Sequence, residues 1–397
     1  MAVRENGQVS SGLDVGGTLA KAVIFVPEGH PQSAALHETL ADIAWVEDDM
    51  RMPAIGGHLI FLKYLSSHAN QAWRNVRKHD LLPRGSRVDA TGGGAFKILD
   101  ESMQRLGLKL HRHDEMESLM RGLLLMALVP GEAFSLRNIL FKGARGPARE
   151  RIETQPVQLD ASAGTGFLVV NIGSGVSFVH CTKDSFERVG GSSLGGSTFL
   201  GLTALLTGED SFDRAIDLAA NGDSARVDML VRDIYGAGKE VYGLKGTTLA
   251  SSFGKMISRK NRAAARPEDI ALSTLIMCSM NVAALAHLHA KTRGTRHIVF
   301  TGSFLARSGR TFKRQDEAWQ HSTSELHLHK RNSIAMRTLA YAVSFWSKGE
   351  RSAVFFRHEG FLGALGALTH AGVTVEHAGM PVEQPHVSEA SALLSKV

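Results

Sequence analysis

The chain has 397 residues, of which 43% are hydrophobic and 21% are charged. This length and balance exclude a disordered or fibrous protein and predict two folded lobes. Two cysteines are too few for a disulfide framework or a four-thiolate zinc site, which favours a reducing, cytoplasmic compartment. A polar N-terminus and the lack of an uninterrupted apolar run of membrane-spanning length predict a soluble protein with no membrane partner.

The net charge is +6, and glycine is enriched, at 41 residues. A basic balance suits an anionic ligand such as a nucleotide. The basic residues are not interleaved with aromatic ones and show no zinc-finger spacing, so we expect no nucleic-acid partner. The positions of the glycines therefore carry more information about function than the charge does.

The first structured segment is predicted to be a β-hairpin, because apolar runs flank a Gly-Gly-Thr turn and diglycine supplies the positive φ angles of a tight turn. The polar and turn residues of this segment are Asp14, Gly16, Gly17, Thr18 and Lys21. Backbone N–H groups and the Thr18 hydroxyl could contact phosphate oxygens, Lys21 could neutralise phosphate charge, and Asp14 could hold Mg²⁺ through water. The alternative is an ordinary hairpin, and no Walker A sequence occurs.

Residues 114–126 predict an amphipathic helix with Asp114 as its N-cap. Glu115 in the first turn is the strongest candidate for a catalytic base, because phosphoryl transfer to an alcohol needs a carboxylate on a rigid element. The helix N-terminus should favour its ionised form. The alternative is an ordinary surface glutamate. His111 and His113 lie nearby but lack the spacing of a zinc-ligand set, so we expect no metal site built by the protein.

A second hairpin is predicted over 166–179, with its turn at 173–175. Its similarity to the first suggests two structurally related lobes with a cleft between them, the alternative being two unrelated hairpins. A glycine-rich loop follows over 188–201, and a phosphate cradle at the N-terminus of the next helix would account for its glycines. A third strand, glycine turn and return are predicted over 297–305.

Residues 192–206 are predicted to be a glycine loop that runs into a helix, and further helices are predicted over 267–289, 333–346 and 361–368. Residues 147–159 and 305–330 are predicted to be loops or insertions. Strands and helices mixed in this order predict an α/β fold.

Together these segments resemble the type II (eukaryotic-type) pantothenate kinases, of the acetate and sugar kinase/Hsp70/actin superfamily. The resemblance covers residues 12–368 and preserves the order and approximate spacing of the family's motifs. Its strongest segments are GLDVGGTLAK (12–21), ATGGGAFK (90–97), DEMESLMRGLLL (114–125), VVNIGSGVS (169–177), RVGGSSLGGSTFLGLTALLTG (188–208), ASSFGK (250–255) and IVFTGSF (298–304). Two departures are Ser197, where the family has a third consecutive glycine, and a longer segment at 305–330.

The resemblance implies an α/β, two-lobed actin-like ATPase with ribonuclease H-like lobes and a nucleotide cleft between them. The implied division is a tail at 1–11, an N-terminal lobe at 12–165, a C-terminal lobe at 166–370 and a tail at 371–397. The implied reaction is the ATP- and Mg²⁺-dependent phosphorylation of pantothenate to 4′-phosphopantothenate, the first step of coenzyme A biosynthesis.

Residue roles are also implied by the positions that match the family's motifs. Glu115 matches the general base. Ser174, Ser177 and Arg188 match residues that bind pantothenate or an inhibitory acyl-CoA. The matching nucleotide-binding residues are Asp14, Gly16, Gly17, Thr18, Lys21, Gly195, Gly196 and Ser197. A homodimer formed through the C-terminal lobe is implied as well.

Two other functions remain open on the sequence. One is a kinase of the same fold that acts on another small alcohol, such as a sugar. The other is a non-catalytic, acyl-CoA-binding regulatory subunit of a heteromeric pantothenate kinase. Retention of Asp14, Lys21, Glu115 and Arg188 argues against a degenerate site.

Overall fold

The computed structural model of the chain describes residues 9–16, 19–30, 45–65, 73–74, 82, 84–93, 100–137, 153–159, 164–182, 185–236, 243–306 and 331–373. Several predicted features lie outside these residues. They are Gly17, Thr18, residues 307–330 of the predicted insertion, and most of both predicted tails.

Runs of strands are separated by helices along the chain. The strands are β1 (Ser10–Val15), β2 (Leu19–Pro27), β3 (Trp45–Met52), β4 (Gly57–Leu65), β5 (Arg87–Thr91), β6 (Lys109–Arg112), β7 (Ala133–Arg137), β8 (Glu153–Pro156), β9 (Phe167–Ile172), β10 (Val176–Cys181), β11 (Phe186–Ser192), β12 (Met229–Leu230), β13 (Leu249–Ser251), β14 (His297–Thr301) and β15 (Ser352–Phe356). The helices are α1 (Asp100–Arg105), α2 (Glu115–Ala127), α3 (Gly196–Thr207), α4 (Phe212–Ala220), α5 (Val231–Tyr235), α6 (Arg259–Ala264), α7 (Pro267–Arg293), α8 (Ser333–Ser347) and α9 (Leu362–Thr369).

Two large sheets contain the same arrangement of five strands. The first sheet has the order β3-β4-β2-β1-β5-β6, and the second has the order β11-β10-β9-β14-β15-β7-β8. In each sheet a first strand pairs antiparallel with the strand after it and parallel with a later strand. The same directions continue outward on both sides, in β4-β2-β1-β5-β6 and in β11-β10-β9-β14-β15. The predicted α/β class is confirmed, and the two hairpins belong to an internal repeat.

Three local predictions were wrong. The chain does not return as a strand after β14, because Gly302 (φ 107°) leads into a short 3₁₀ turn at Ser303–Leu305. Part of the predicted loop at 188–201 is strand, since β11 pairs with β10 across a β-bulge. The predicted loop at 147–159 contains β8, which pairs antiparallel with β7.

The second sheet contains strands from both sides of the boundary predicted between residues 165 and 166. Strands β7 and β8 precede this boundary, yet β7 pairs with β15 and so extends the edge of the second sheet. Helix α9, near the C-terminal end, packs instead on β1 of the first sheet. Hydrogen bonding thus assigns Ala133–Arg137 and Glu153–Pro156 to the second sheet, and packing assigns Leu362–Thr369 to the first.

Buried apolar side chains form three clusters, and one of them joins the sheets. Successive residues of β2 alternate between two clusters, because side chains along a strand point to opposite faces. Val23 and Phe25 belong to the cluster that also contains Phe167 and Val169 of β9, together with residues of α2 and α9. This shared core fixes the two sheets relative to one another.

Helix α7 is the longest helix and packs against α8, α4 and α3. By length and composition it could cross a membrane, but 56% of its most apolar window is buried within the protein. Burial of this kind is typical of a core helix, and α7 packs against strands of the second sheet.

Helices α2 and α9 lie in close backbone contact. A Cβ atom at Gly366 would overlap the carbonyl oxygen of Ser118, and one at Gly122 would overlap that of Leu362. Glycine is therefore required at both crossing points. Because Ser118 lies against Gly366 and Gly122 lies against Leu362, the two helices run antiparallel.

Candidate functional site

The first part of the site is built on the β1–β2 hairpin. Asp14 in β1 and Lys21 in β2 are paired across the hairpin, so their side chains lie on the same face. The Lys21 Nζ atom is 3.9 Å from Asp14 Oδ2, and both side chains are largely buried. Burial raises the pKa of the Asp14 carboxyl, and the neighbouring lysine opposes that rise.

Two glycines enclose the Asp14 carboxylate. Gly92 follows β5 with a φ of 86°, and a Cβ atom there would lie 2.7 Å from Asp14 Oδ1. Gly363 in α9 is equally close, since a Cβ atom there would lie 2.9 Å from Asp14 Oδ2. A larger residue at either position would displace this carboxylate, so β5 and α9 together define its place.

Glu115 is the first residue of α2, as the sequence predicts. The helix begins here because the Asp114 side chain caps it, accepting a hydrogen bond of 2.8 Å from the Glu117 amide. The Glu115 residue is exposed to solvent. Desolvation by the surrounding protein raises the pKa of its carboxyl, and the charges of Asp14 and Asp114 raise it further, against the opposing effect of Lys21. The contribution of the helix N-terminus, which favours the ionised form, stays a prediction.

The second part of the site is a cavity of about 570 Å³ at the β9–β10 turn. Ser177 and Arg188 line it, as do the turn glycines. The other lining residues are Asn171, Val176, Gly191, Ser192 and Ser193. Ser174 lies at the tip of the same turn and is exposed.

Arg188 is the cation of this cavity. It lies on the edge strand β11, next to the β-bulge, and its side chain is exposed. A Cβ atom at Gly191 would lie 2.5 Å from the Arg188 guanidinium, so this glycine leaves room for it. Among the described residues no carboxylate forms an ion pair with Arg188. The guanidinium is thus available to an anionic group of a ligand.

The start of α3 differs from the predicted phosphate cradle. The amides of Gly196 and Ser197 donate hydrogen bonds of 2.8 and 3.1 Å to the carbonyls of Gly173 and Ser174, and the Gly195 amide donates within its own loop. These amides hold the β9–β10 turn against α3 and are not directed at a free anion site. A phosphate contact at this helix N-terminus therefore stays a prediction, and the exposed Ser197 is its available candidate.

Asn171 is a site residue that the sequence reasoning missed. It occupies in β9 the position that Asp14 occupies in β1, two residues before the first glycine of the turn. It pairs with Thr301 of β14, and a Cβ atom at the following residue, Gly302, would lie 2.6 Å from Asn171 Oδ1. Asp14, Thr91 and Gly92 are related in the same way. The sequence could have identified Asn171 by its place in the second hairpin, which is equivalent to the place of Asp14 in the first.

No described group of three or more His, Cys, Asp or Glu residues could hold a metal ion. Asp14 is a single carboxylate between Lys21 and two glycines. Mg²⁺ in phosphoryl-transfer sites is commonly held by one or two carboxylates together with the phosphates of the substrate. Asp14 fits the role of one such carboxylate ligand and does not form a metal site by itself.

The chain is similar in sequence to proteins of one family. The profile of the family described as Fumble matches residues 10–370. Pantothenate kinase 1 of Arabidopsis thaliana is 37% identical over 365 residues, which cover 90% of this chain and 84% of that protein. Pantothenate kinase 2 of Oryza sativa subsp. japonica is 35% identical over 381 residues, or 89% of this chain. The chain spans only 38% of the length of the rice protein.

Among solved structures, the activator of the 2-hydroxyisocaproyl-CoA dehydratase from Clostridium difficile, with bound ADPNP, is 12% identical with a TM-score of 0.43. The alignment covers 92% of this chain and 94% of that one. Because the TM-score is this low, the description of the fold rests on the strand order given above and not on this similarity.

Proposed function

Because this chain belongs to the Fumble family of type II pantothenate kinases, we propose that it phosphorylates pantothenate to 4′-phosphopantothenate with ATP. The observation that carries the proposal is the group formed by Glu115, Asp14 and Lys21 at a glycine hairpin. Glu115, whose pKa is raised, interacts electrostatically with the Asp14–Lys21 pair and is suited to take a proton near a phosphate bound at this hairpin. The Arabidopsis relative, matched over most of its length, is named for this activity.

In the proposed reaction each side chain has one task. Lys21 neutralises charge on the phosphates at the β1–β2 turn, where Gly16 and the predicted contacts Gly17 and Thr18 lie. Glu115 accepts the proton of the pantothenate hydroxyl as that oxygen bonds to the γ-phosphorus. The bond from the γ-phosphorus to its bridging oxygen breaks, and ADP leaves. Removal of the proton makes the hydroxyl oxygen a better nucleophile, which is the contribution of a general base.

The cavity at the second hairpin is the proposed site of pantothenate. Arg188 pairs with the pantothenate carboxylate, and Ser177 and Ser174 donate hydrogen bonds to its polar groups. The second nucleotide loop, Gly195–Ser197, contacts ATP through the exposed Ser197 hydroxyl and not through the bonded amides.

Asp14 is the proposed protein contact of Mg²⁺ that arrives with ATP. When bound, Mg²⁺ would neutralise phosphate charge. The contribution of this chain is to keep the Asp14 carboxylate in place between Gly92 and Gly363.

Three further properties belong to the proposal. Acyl-CoA binds at the Ser174, Ser177 and Arg188 cavity and inhibits by excluding pantothenate. The chain forms a homodimer through the second sheet's helices and acts in the cytoplasm. Native mass spectrometry tests the dimer, and inhibition by acetyl-CoA that is competitive with pantothenate tests the shared cavity.

The test of the function is an assay of the purified chain with ATP, Mg²⁺ and pantothenate. We expect release of ADP together with formation of 4′-phosphopantothenate, and no comparable turnover of glucose or N-acetylmannosamine. Preferential turnover of a sugar would identify another kinase of this fold. An inactive chain that binds acetyl-CoA and becomes active only with a partner subunit would identify a regulatory subunit.

A further inference from the structure

A buried carboxylate links strand β5 to the start of the helix that carries Glu115. Asp89 in β5 has no exposed surface and accepts hydrogen bonds from Arg87 and His113. The His113 Nε2 atom lies 2.6 Å from Asp89 Oδ1. Burial alone would raise the pKa of Asp89, but the hydrogen bonds from His113 and Arg87 lower it. Since an ionised carboxylate only accepts hydrogen bonds, His113 Nε2 carries the proton and donates it to the bond.

The rest of His113 is also held in place. Its backbone N–H donates to the Ala90 carbonyl at 2.9 Å, and its own carbonyl accepts a hydrogen bond from Thr91 Oγ1 at 3.2 Å. Its ring stacks on His370, with 3.8 Å between the ring centroids and 6° between the planes. Glu115 lies two residues further along the chain, so these contacts fix the position of the segment that leads into α2.

The Asp14 carboxylate lies against Gly92 and Gly363, and it interacts electrostatically with Glu115. Gly92 follows β5 directly, Gly363 belongs to α9, and Glu115 opens α2. Asp89 lies in β5, His113 precedes α2, and His370 follows α9. The cluster of Asp89, His113 and His370 therefore ties together the elements that place the carboxylates of the site.

We propose that the hydrogen bond between Asp89 and His113 positions the first turn of α2, and with it the Glu115 carboxylate, relative to Asp14 and Lys21. This inference rests on the proposed kinase function, in which Glu115 is the base. Asp89 and His113 touch neither reactant in that reaction and are positioning residues. Misplacing a base lowers turnover strongly, whereas the affinity for the substrates depends on other side chains.

Two substitutions at His113 distinguish the effect of its hydrogen bond to Asp89 from the effect of its ring stack on His370. His113→Phe keeps a ring against His370 but removes the donor, and His113→Gln keeps a donor nitrogen at a similar reach but removes the ring. We expect His113→Phe to lower kcat about tenfold to a hundredfold with both KM values changed less than about twofold. His113→Gln should recover most of that loss. The control is His111→Phe, the same change at an exposed position of β6, which should keep the wild-type kcat.

A wild-type kcat in His113→Phe would overturn the inference, as would equal losses in His113→Phe and His113→Gln, or a loss confined to KM. If the wild type and His111→Phe both fail to phosphorylate pantothenate, the proposed function is wrong and this inference falls with it. Thermal unfolding of each variant establishes that it is folded. If His113→Phe does not fold, Asp89→Asn replaces it, with a smaller loss of kcat expected and a wild-type kcat again contradicting the inference.

Discussion

At the scale of single residues, two aspartates influence the ionisation of the candidate base Glu115. Asp14 and Asp114 both raise the pKa of Glu115, and desolvation by the surrounding protein raises it more than either. A glutamate outside such a site would be fully ionised near neutral pH and would be a weak base. Bringing its pKa closer to the working pH makes proton transfer from an alcohol more favourable.

His370 provides a prediction about pH and stability. Burial, followed by the charges of His113 and Arg121, lowers the pKa of His370 from 6.5 to about 4. The folded protein therefore binds this proton less readily than the unfolded chain, so the stabilisation exists above about pH 6.5 and is lost as the pH falls toward about 4. We expect Tm to fall more steeply over this range in the wild type than in His370→Phe, which keeps the stack but cannot be protonated.

Thermal unfolding followed by circular dichroism measures this difference. His111→Phe is the control, because the exposed His111 side chain should contribute equally little in both states. If the Tm values of the wild type and His370→Phe change with pH in the same way, protonation of His370 does not destabilise the fold, and the prediction is wrong.

Some site residues could be predicted from the sequence and others could not. Asp14 and Lys21 flank a recognisable glycine turn, and Glu115 follows a clear helix N-cap. The bond between Asp89 and His113 joins residues 24 positions apart. It depends on how β5 pairs with β6, and strand register is not encoded in a short motif.

At the scale of elements, the contact between α2 and α9 decides the geometry of the site. The sequence shows small residues in the C-terminal apolar helix, but the partner helix lies more than 200 residues earlier along the chain. Glycine at the crossing allows the two backbones to approach, and that approach brings Gly363 to the Asp14 carboxylate.

Substituting alanine at this crossing should destabilise the protein. In Gly366→Ala the new methyl group would overlap the backbone of Ser118, which cannot move without shifting α2. We expect the free energy of unfolding to fall by about 2 kcal/mol, since the overlap outweighs the higher helix propensity of alanine. Urea denaturation measures the change.

Gly201→Ala is the matched control, because Gly201 lies inside α3 with open space around it. There the free energy of unfolding should rise by about 0.5–1 kcal/mol. Equal effects of the two substitutions would contradict the close packing of α2 against α9.

At the scale of the whole molecule, two copies of a five-strand arrangement share a core. The likeness of the two hairpins made this repeat predictable. The addition of β7 and β8 to the second sheet was not predictable, because β8 is only four residues long and pairs at a sheet edge. The repeat also relates Asn171 to Asp14, which places one polar side chain at each hairpin.

The central claim is that Glu115 acts as the base of a phosphoryl transfer at the first hairpin. It is tested most directly by the kcat for pantothenate phosphorylation of Glu115→Gln, compared with that of Glu117→Gln. Glu117 lies in the same helical turn and is paired with Arg121, so it controls for the loss of a charge at this position. The account predicts a fall in kcat of about a hundredfold or more for Glu115→Gln alone. Wild-type turnover in Glu115→Gln, or equal losses in both variants, would contradict it.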